Sequence, residues 1–205
     1  MKIICVGRNY VDHINELSNE KPTSPVVFLK PDTAYLENGK DFYYPKFSNE
    51  VHYEVELVVK IAKIGKNIEA KFAHKYIDAI GLGIDFTARD LQAKLKEKGL
   101  PWEKAKAFDS SAFVSPLQSF ENIEEILSQN ISFSLKKNGE MVQDGQSNLM
   151  IWKIADLIED ISKYFTLKTG DLIFTGTPAG VGPINIGDQL EGYLMDKKVF
   201  ELLIK

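Results

Sequence analysis

Apolar and polar residues alternate with period two through "VHYEVELVVKI", residues 51–61. Val51, Tyr53, Val55, Leu57, Val59 and Ile61 fall on one side, and His52, Glu54, Glu56, Val58 and Lys60 on the other. That alternation predicts a strand over residues 51–63. The runs "KIICV" and "VVFLK" predict two earlier strands, and "LENGKD" a turn before the alternating segment. "YIDAIGLGID" predicts a further buried strand whose glycines permit close backbone approach. The period changes in "LMIWKIADLIEDISKYF", where Ile151, Ile154, Leu157, Ile158 and Ile161 share one face of an amphipathic helix. A second helix is expected over "LQAKLKEKG", opened by a capping box of Thr87 and Asp90 and stopped by Gly99. Between the first two strands, the polar "NYVDHINELSNEKPTSP" is expected to be helical from Tyr10 to Leu17 and to end in a Pro/Ser loop. "ISFSLKKNGEMV" reads as a hairpin turning at Asn138-Gly139. The segments "GDLIFTG", "DQLEGYLMD" and "KVFELLIK" supply the last strands. Many non-local strands with few helices predict an α+β fold, a curled mixed sheet with helices packed outside.

The 205 residues, 44% hydrophobic and 26% charged with net charge −4, are enough for a full core and most simply one domain. No basic face points to nucleic acid. Cys5 is the single cysteine, which excludes an intrachain disulfide and suits a reducing compartment. The apolar run in "MKIICVGRNY" is too short for a signal peptide, and no stretch approaches the ~18 apolar residues of a membrane helix. The expectation is a cytoplasmic protein without a membrane partner.

The alternation at residues 51–61 also places Glu54 and Glu56 on one side, about 7 Å apart along the strand. Two readings are open. One is the solvated face of a half-buried sheet. The other is a site for a hard divalent cation, which takes oxygen ligands and relieves the repulsion between the acids. Asp85, in "GLGIDFTARD", is the candidate third ligand; its alternative reading is an acid favoured near a helix start. Three carboxylates suit Mg²⁺, which keeps positions for water or substrate.

The blocks "CVGRNYVDHINEL", "VVFLKPDTAY", "HYEVE", "GIDFTARDLQ", "KGLPWEKAKAFD" and "GDLIFTGTPAGVGP" occur in this order along the chain. Together they resemble the signature blocks of the fumarylacetoacetate hydrolase superfamily, above all its short acylpyruvate hydrolases and oxaloacetate decarboxylases. The resemblance implies a mixed β-sandwich roll forming one catalytic domain over residues 1–205, and a homodimer. It also implies one Mg²⁺ held by Glu54, Glu56 and Asp85, with Mn²⁺ or Ca²⁺ as substitutes. Lys106 matches the family's active-site lysine, although by composition alone it reads as a surface lysine.

His13 and Glu16, three apart on a short helix, match the family's dyad, in which the acid orients an imidazole that takes a proton from water. They lie in a segment, residues 9–24, expected to act as a mobile lid. Arg89 and Gln92 share a helix face and, with Arg8, Tyr10 and Thr177, are implied to bind substrate; a solvated helix face is the plainer reading of the first two. His52 is expected to stand beside the metal ligands, and His74 on the surface. The glycines around Thr177 expose backbone N–H groups, but the loop lacks the Lys-Ser/Thr of a nucleotide-binding P-loop. The match begins in the catalytic blocks, so the amino-terminal domain of longer members is not expected here, which favours a small substrate. The implied activity is metal-dependent cleavage of acylpyruvates, with decarboxylation of oxaloacetate through the same pyruvate enolate. A tautomerase or dienedioate isomerase is the alternative, and a non-catalytic binding protein the rival of another class.

Overall fold

A computed structural model describes residues 1–17 and 20–205. Residues 18 and 19, within the expected lid, lie outside the described residues.

The main sheet is mixed and curled. Its strand order is β2 (Val27–Lys30), β1 (Ile3–Val6), β12 (Leu172–Phe174), β5 (Val55–Ile61), β6 (Ile77–Asp85), β8 (Ala112–Val114) and β3 (Tyr35–Glu37), with β9 (Gln118–Ser119) also paired to β6. β1 runs parallel to β12 and β3 parallel to β8; the other pairs are antiparallel. A four-stranded antiparallel sheet, β11 (Glu140–Gln146), β10 (Ser132–Lys137), β14 (Gln189–Leu194) and β15 (Lys197–Leu203), packs across it. The smallest sheet joins β13 (Gly182–Pro183), β4 (Val51–Tyr53) and β7 (Thr87–Ala88). The fold is α+β, as the strand-rich pattern predicts.

The hairpin turns at Asn138-Gly139, both with positive φ (53° and 85°), the backbone of a tight two-residue turn. Helix α5 (Ile154–Tyr164) buries Ile154, Leu157, Ile158 and Ile161 as its period requires, and Ile151 lies just ahead of it. Among the described residues the other α-helices are α1 (Val11–Glu16), α2 (Arg89–Glu97), α3 (Glu103–Lys106) and α4 (Ile123–Ser128). Among the described residues no helix is long and apolar enough to cross a membrane.

Two expectations are corrected and one open reading is decided. The predicted strand 51–63 is two strands with a break at Glu54, and it ends at Ile61. Most of its polar side is not solvated: Glu54, Glu56 and Val58 are all buried, because the central strands β5 and β6 are covered on both faces, and Lys60 is part-exposed. Thr87 and Asp90 form no capping box. No side chain caps α2; the Thr87 hydroxyl donates to the Asp85 carbonyl at 3.3 Å, and Asp90 accepts from Ser48 Oγ at 2.6 Å.

Candidate active site

The break at Glu54 meets the end of β6, where the Asp85 amide donates to the Glu54 carbonyl at 2.9 Å. This junction converges three acids, each 5% exposed or less. One oxygen from each of Glu54, Glu56 and Asp85 lies within 4.8 Å of the others. Buried carboxylates at that spacing require compensation by positive charge. Short α3 supplies part of it by directing Lys106 inward. Its ammonium donates to Glu54 Oε2 at 2.8 Å, Asp85 Oδ2 at 2.7 Å and Thr87 Oγ1 at 2.6 Å. The first turn of α2 brings Arg89, which donates to Glu54 Oε1 at 2.5 Å and Gln92 Oε1 at 2.6 Å. His52 braces it from behind, accepting from Arg89 Nε at 3.3 Å while its Nε2 faces Glu50 at 2.9 Å. A third cation, Lys30, sits 2.7 Å from Asp85 Oδ1.

These neighbours divide the acids. Burial raises the Glu54 carboxyl pKa, but Lys106 and Arg89 outweigh it and hold the group well below the carboxylate range. Burial, then Asp85 and Glu54, push Glu56 well above that range, its hydrogen bond from the Gly176 amide at 2.6 Å notwithstanding. For Lys106, burial is outweighed by Asp85 and Glu54, so its ammonium is held charged. The set fits a divalent cation. All three donors are carboxylates, Glu56 has no cation partner among the described ion pairs, and Asp85 Oδ1 is buried without a hydrogen bond of good geometry.

Helix α1 brings His13 to the Glu54 side of the cluster. Buried His13 lines the same crevice as Glu54, Arg89, Gln92 and Lys106, with Arg8 at its edge. His13 Nδ1 meets Glu16 Oε2 at 3.2 Å, and Glu16 Oε1 accepts from the Gly180 amide at 3.0 Å. Burial pulls the imidazole pKa below its ordinary value, against the opposing charges of Glu54 and Glu16.

The fumarylacetoacetate (FAA) hydrolase C-terminal family model matches residues 2–204. The chain belongs to the fumarylacetoacetate hydrolase family. It is 44% identical over 191 residues to the oxaloacetate tautomerase YcgM of Escherichia coli (strain K12), covering 92% of this chain and 86% of that protein. To the mitochondrial oxaloacetate tautomerase FAHD1 of Bos taurus it is 42% identical over 189 residues, 92% of this chain and 85% of the other. The crystal structure of fumarylpyruvate hydrolase from Pseudomonas aeruginosa in complex with Mn²⁺ and pyruvate superposes with a TM-score of 0.92 at 34% identity, covering all of this chain and 89% of that one.

In this family member, the structure brings together Glu54, Glu56, Asp85, Lys106, Arg89, Gln92, His13, Glu16 and Arg8. Tyr10 and Thr177 are not among the residues lining the crevice, although Gly176, next to Thr177, donates to Glu56 and the Glu56 charge acts on Tyr10. The Thr177 hydroxyl is committed to the fold, donating to the Val55 carbonyl and accepting from Gln143 Nε2, both at 2.8 Å. Tyr10 packs edge-on against Phe133, its hydroxyl buried without a hydrogen-bond partner and its pKa raised by burial and then by Glu56. His74 is part-exposed, 3.6 Å from Glu124.

The sequence reading missed Lys30, Gln143, Asn9 and Lys96. Gln143 Oε1 accepts from the Val55 amide at 2.9 Å, fixing the start of β5 between Glu54 and Glu56. Asn9 bonds the backbone of Trp152 and Thr175, anchoring the chain ahead of α1. Lys96 lines the crevice four residues after Gln92; that i,i+4 spacing was the signal available for it.

Proposed function

We propose that this protein forms the enolate of a small 2-oxo acid at the Glu54–Glu56–Asp85 site. The carrying observation is the buried acid cluster within 4.8 Å, bridged by Lys106. A divalent cation held by the three carboxylates, Mg²⁺ in our reading, would supply Lewis-acid stabilisation of charge on the 2-oxo oxygen. Lys106 places a fixed positive charge beside that oxygen as it becomes anionic. Arg89 and Gln92, with Arg8 towards the mouth, orient the substrate carboxylate. His13, aligned by Glu16, moves the proton. Residues 9–24 serve as the lid that excludes bulk water during the reaction.

The activity we infer first is keto–enol interconversion of oxaloacetate, supported by the two curated relatives named for it. The enol hydroxyl loses its proton, C3 gains one, and neutral His13 is the group placed to accept and return it. A second reading is favoured by the dyad itself, with its 3.2 Å contact between His13 and Glu16. There His13 takes a proton from water, which attacks the C4 ketone of an acylpyruvate. The C3–C4 bond breaks, pyruvate leaves as its enolate, and the acyl group is released as a carboxylate. In oxaloacetate, CO₂ leaves from the same bond without attacking water. Wild-type protein with Mg²⁺, given enol-oxaloacetate and acetylpyruvate in parallel, tests the assignment. Faster loss of the enol signal than in the enzyme-free control supports tautomerisation, and release of acetate with pyruvate supports hydrolysis. Neither reaction would sink both readings.

A further inference from the structure

Lys30 closes β2 with its side chain fully buried, where a lysine is almost never found unless paired. Its three N–H donors are matched by three neutral acceptors. These are the Lys106 carbonyl, the Ser111 carbonyl at 2.9 Å and Ser111 Oγ at 3.0 Å. Asp85 Oδ1 lies 2.7 Å from the ammonium, yet no hydrogen bond of good geometry joins them. The ammonium is therefore seated by uncharged oxygens and acts on Asp85 through its charge. A neutral donor could bond those oxygens, so packing alone does not call for a lysine.

The charge balance supplies a reason. With a cation drawing the proton from Glu56, the three acids would carry three negative charges; Glu54 and Asp85 are paired directly with the three positive charges of Lys30, Lys106 and Arg89. A divalent cation held there would add two positive charges. They match the carboxylate of a 2-oxo acid and the oxygen that turns anionic in its enolate. Without Lys30 the same assembly is one unit more negative. It would grip the cation harder and resist the second negative charge on the substrate.

We propose that Lys30 is a positioning residue that acts through Asp85, lowering cation affinity while raising the site's capacity to stabilise the enolate. The proposal rests on the metal-dependent enolate reading above.

Two variants test it, Lys30→Met, which removes the ammonium at similar length, and Lys30→Gln, which keeps N–H donors without the charge. Mn²⁺ binding is measured by calorimetry on protein stripped with chelator, and kcat with oxaloacetate is measured at saturating Mn²⁺. The expected result is opposite movement. Mn²⁺ affinity rises on the order of tenfold, because a like charge beside the site is gone. Turnover falls on the order of a hundredfold, because the enolate is less well stabilised. A merely structural role would lower both or move neither, and either result overturns the proposal. So does failure of both variants to fold. If wild-type protein binds no Mn²⁺, the metal reading itself fails, an outcome separate from any difference between variants.

Discussion

At His13, burial and Glu16 pull in opposite directions: burial favours the neutral imidazole, whereas the Glu16 carboxylate favours the charged one. Burial prevails, so the neutral base persists below the ordinary histidine range and the acid limb of kcat/KM should fall below about pH 6.5. In Glu16→Gln a group that raises the imidazole pKa is lost, so that limb should move to still lower pH while the rate drops. A pH profile with the limb unmoved or shifted upward would contradict this. His13→Ala should reduce acylpyruvate hydrolysis by ~10²–10⁴, the usual worth of a general base. Decarboxylation, which needs no attacking water, should fall much less, and paired assays give the ratio. Equal loss of both would make His13 a lid-ordering residue.

The acids were legible at this scale because two same-side carboxylates and a third in a matching block make a chemical pattern. Lys30 was not legible. A lysine ending an apolar run before a proline reads as the polar end of a strand, and only the fold shows that its ammonium meets Asp85.

Among the elements, the loop after β12 carries a load visible only in its glycines. Gly176 and Gly180 both have φ of +99°, and both point an amide at a site carboxylate, Glu56 and Glu16 respectively. A Cβ on Gly180 would also collide with the Val142 carbonyl. Gly180→Ala should therefore cost about 1–3 kcal/mol of stability, the range for strained backbone. It should also loosen Glu16 and lower turnover; unchanged melting temperature and unchanged rate would refute the role. Strand positions were legible from alternation and apolar runs, and α5 from its period. The break at Glu54 was not, since it depends on the Asp85 amide and Gln143, partners distant in sequence. Nor was the fate of Thr87. Its capping pattern with Asp90 is genuine as sequence, but Lys106 and the Asp85 carbonyl claim the hydroxyl.

In the whole molecule, the central strands of a curled sheet, buried on both faces, bring three acids and their cation partners together at the junction of β4, β5 and β6. Burial of both faces is a property of the assembled sheets, which is why the strand pattern left the solvated reading of Glu54 and Glu56 open. The family resemblance leads us to expect a homodimer, so sedimentation at micromolar concentration should give twice the 23.1 kDa chain mass, and a stable monomer would contradict it. The central claim is enolate formation at a metal site. Its most direct test is proton NMR of pyruvate in D₂O with Mg²⁺-loaded protein. The C3 methyl signal is expected to be lost to deuterium faster than in the enzyme-free control, and this loss to be abolished by chelator and by Glu56→Gln. A methyl signal that persists at the control rate with metal-loaded, folded protein would contradict it.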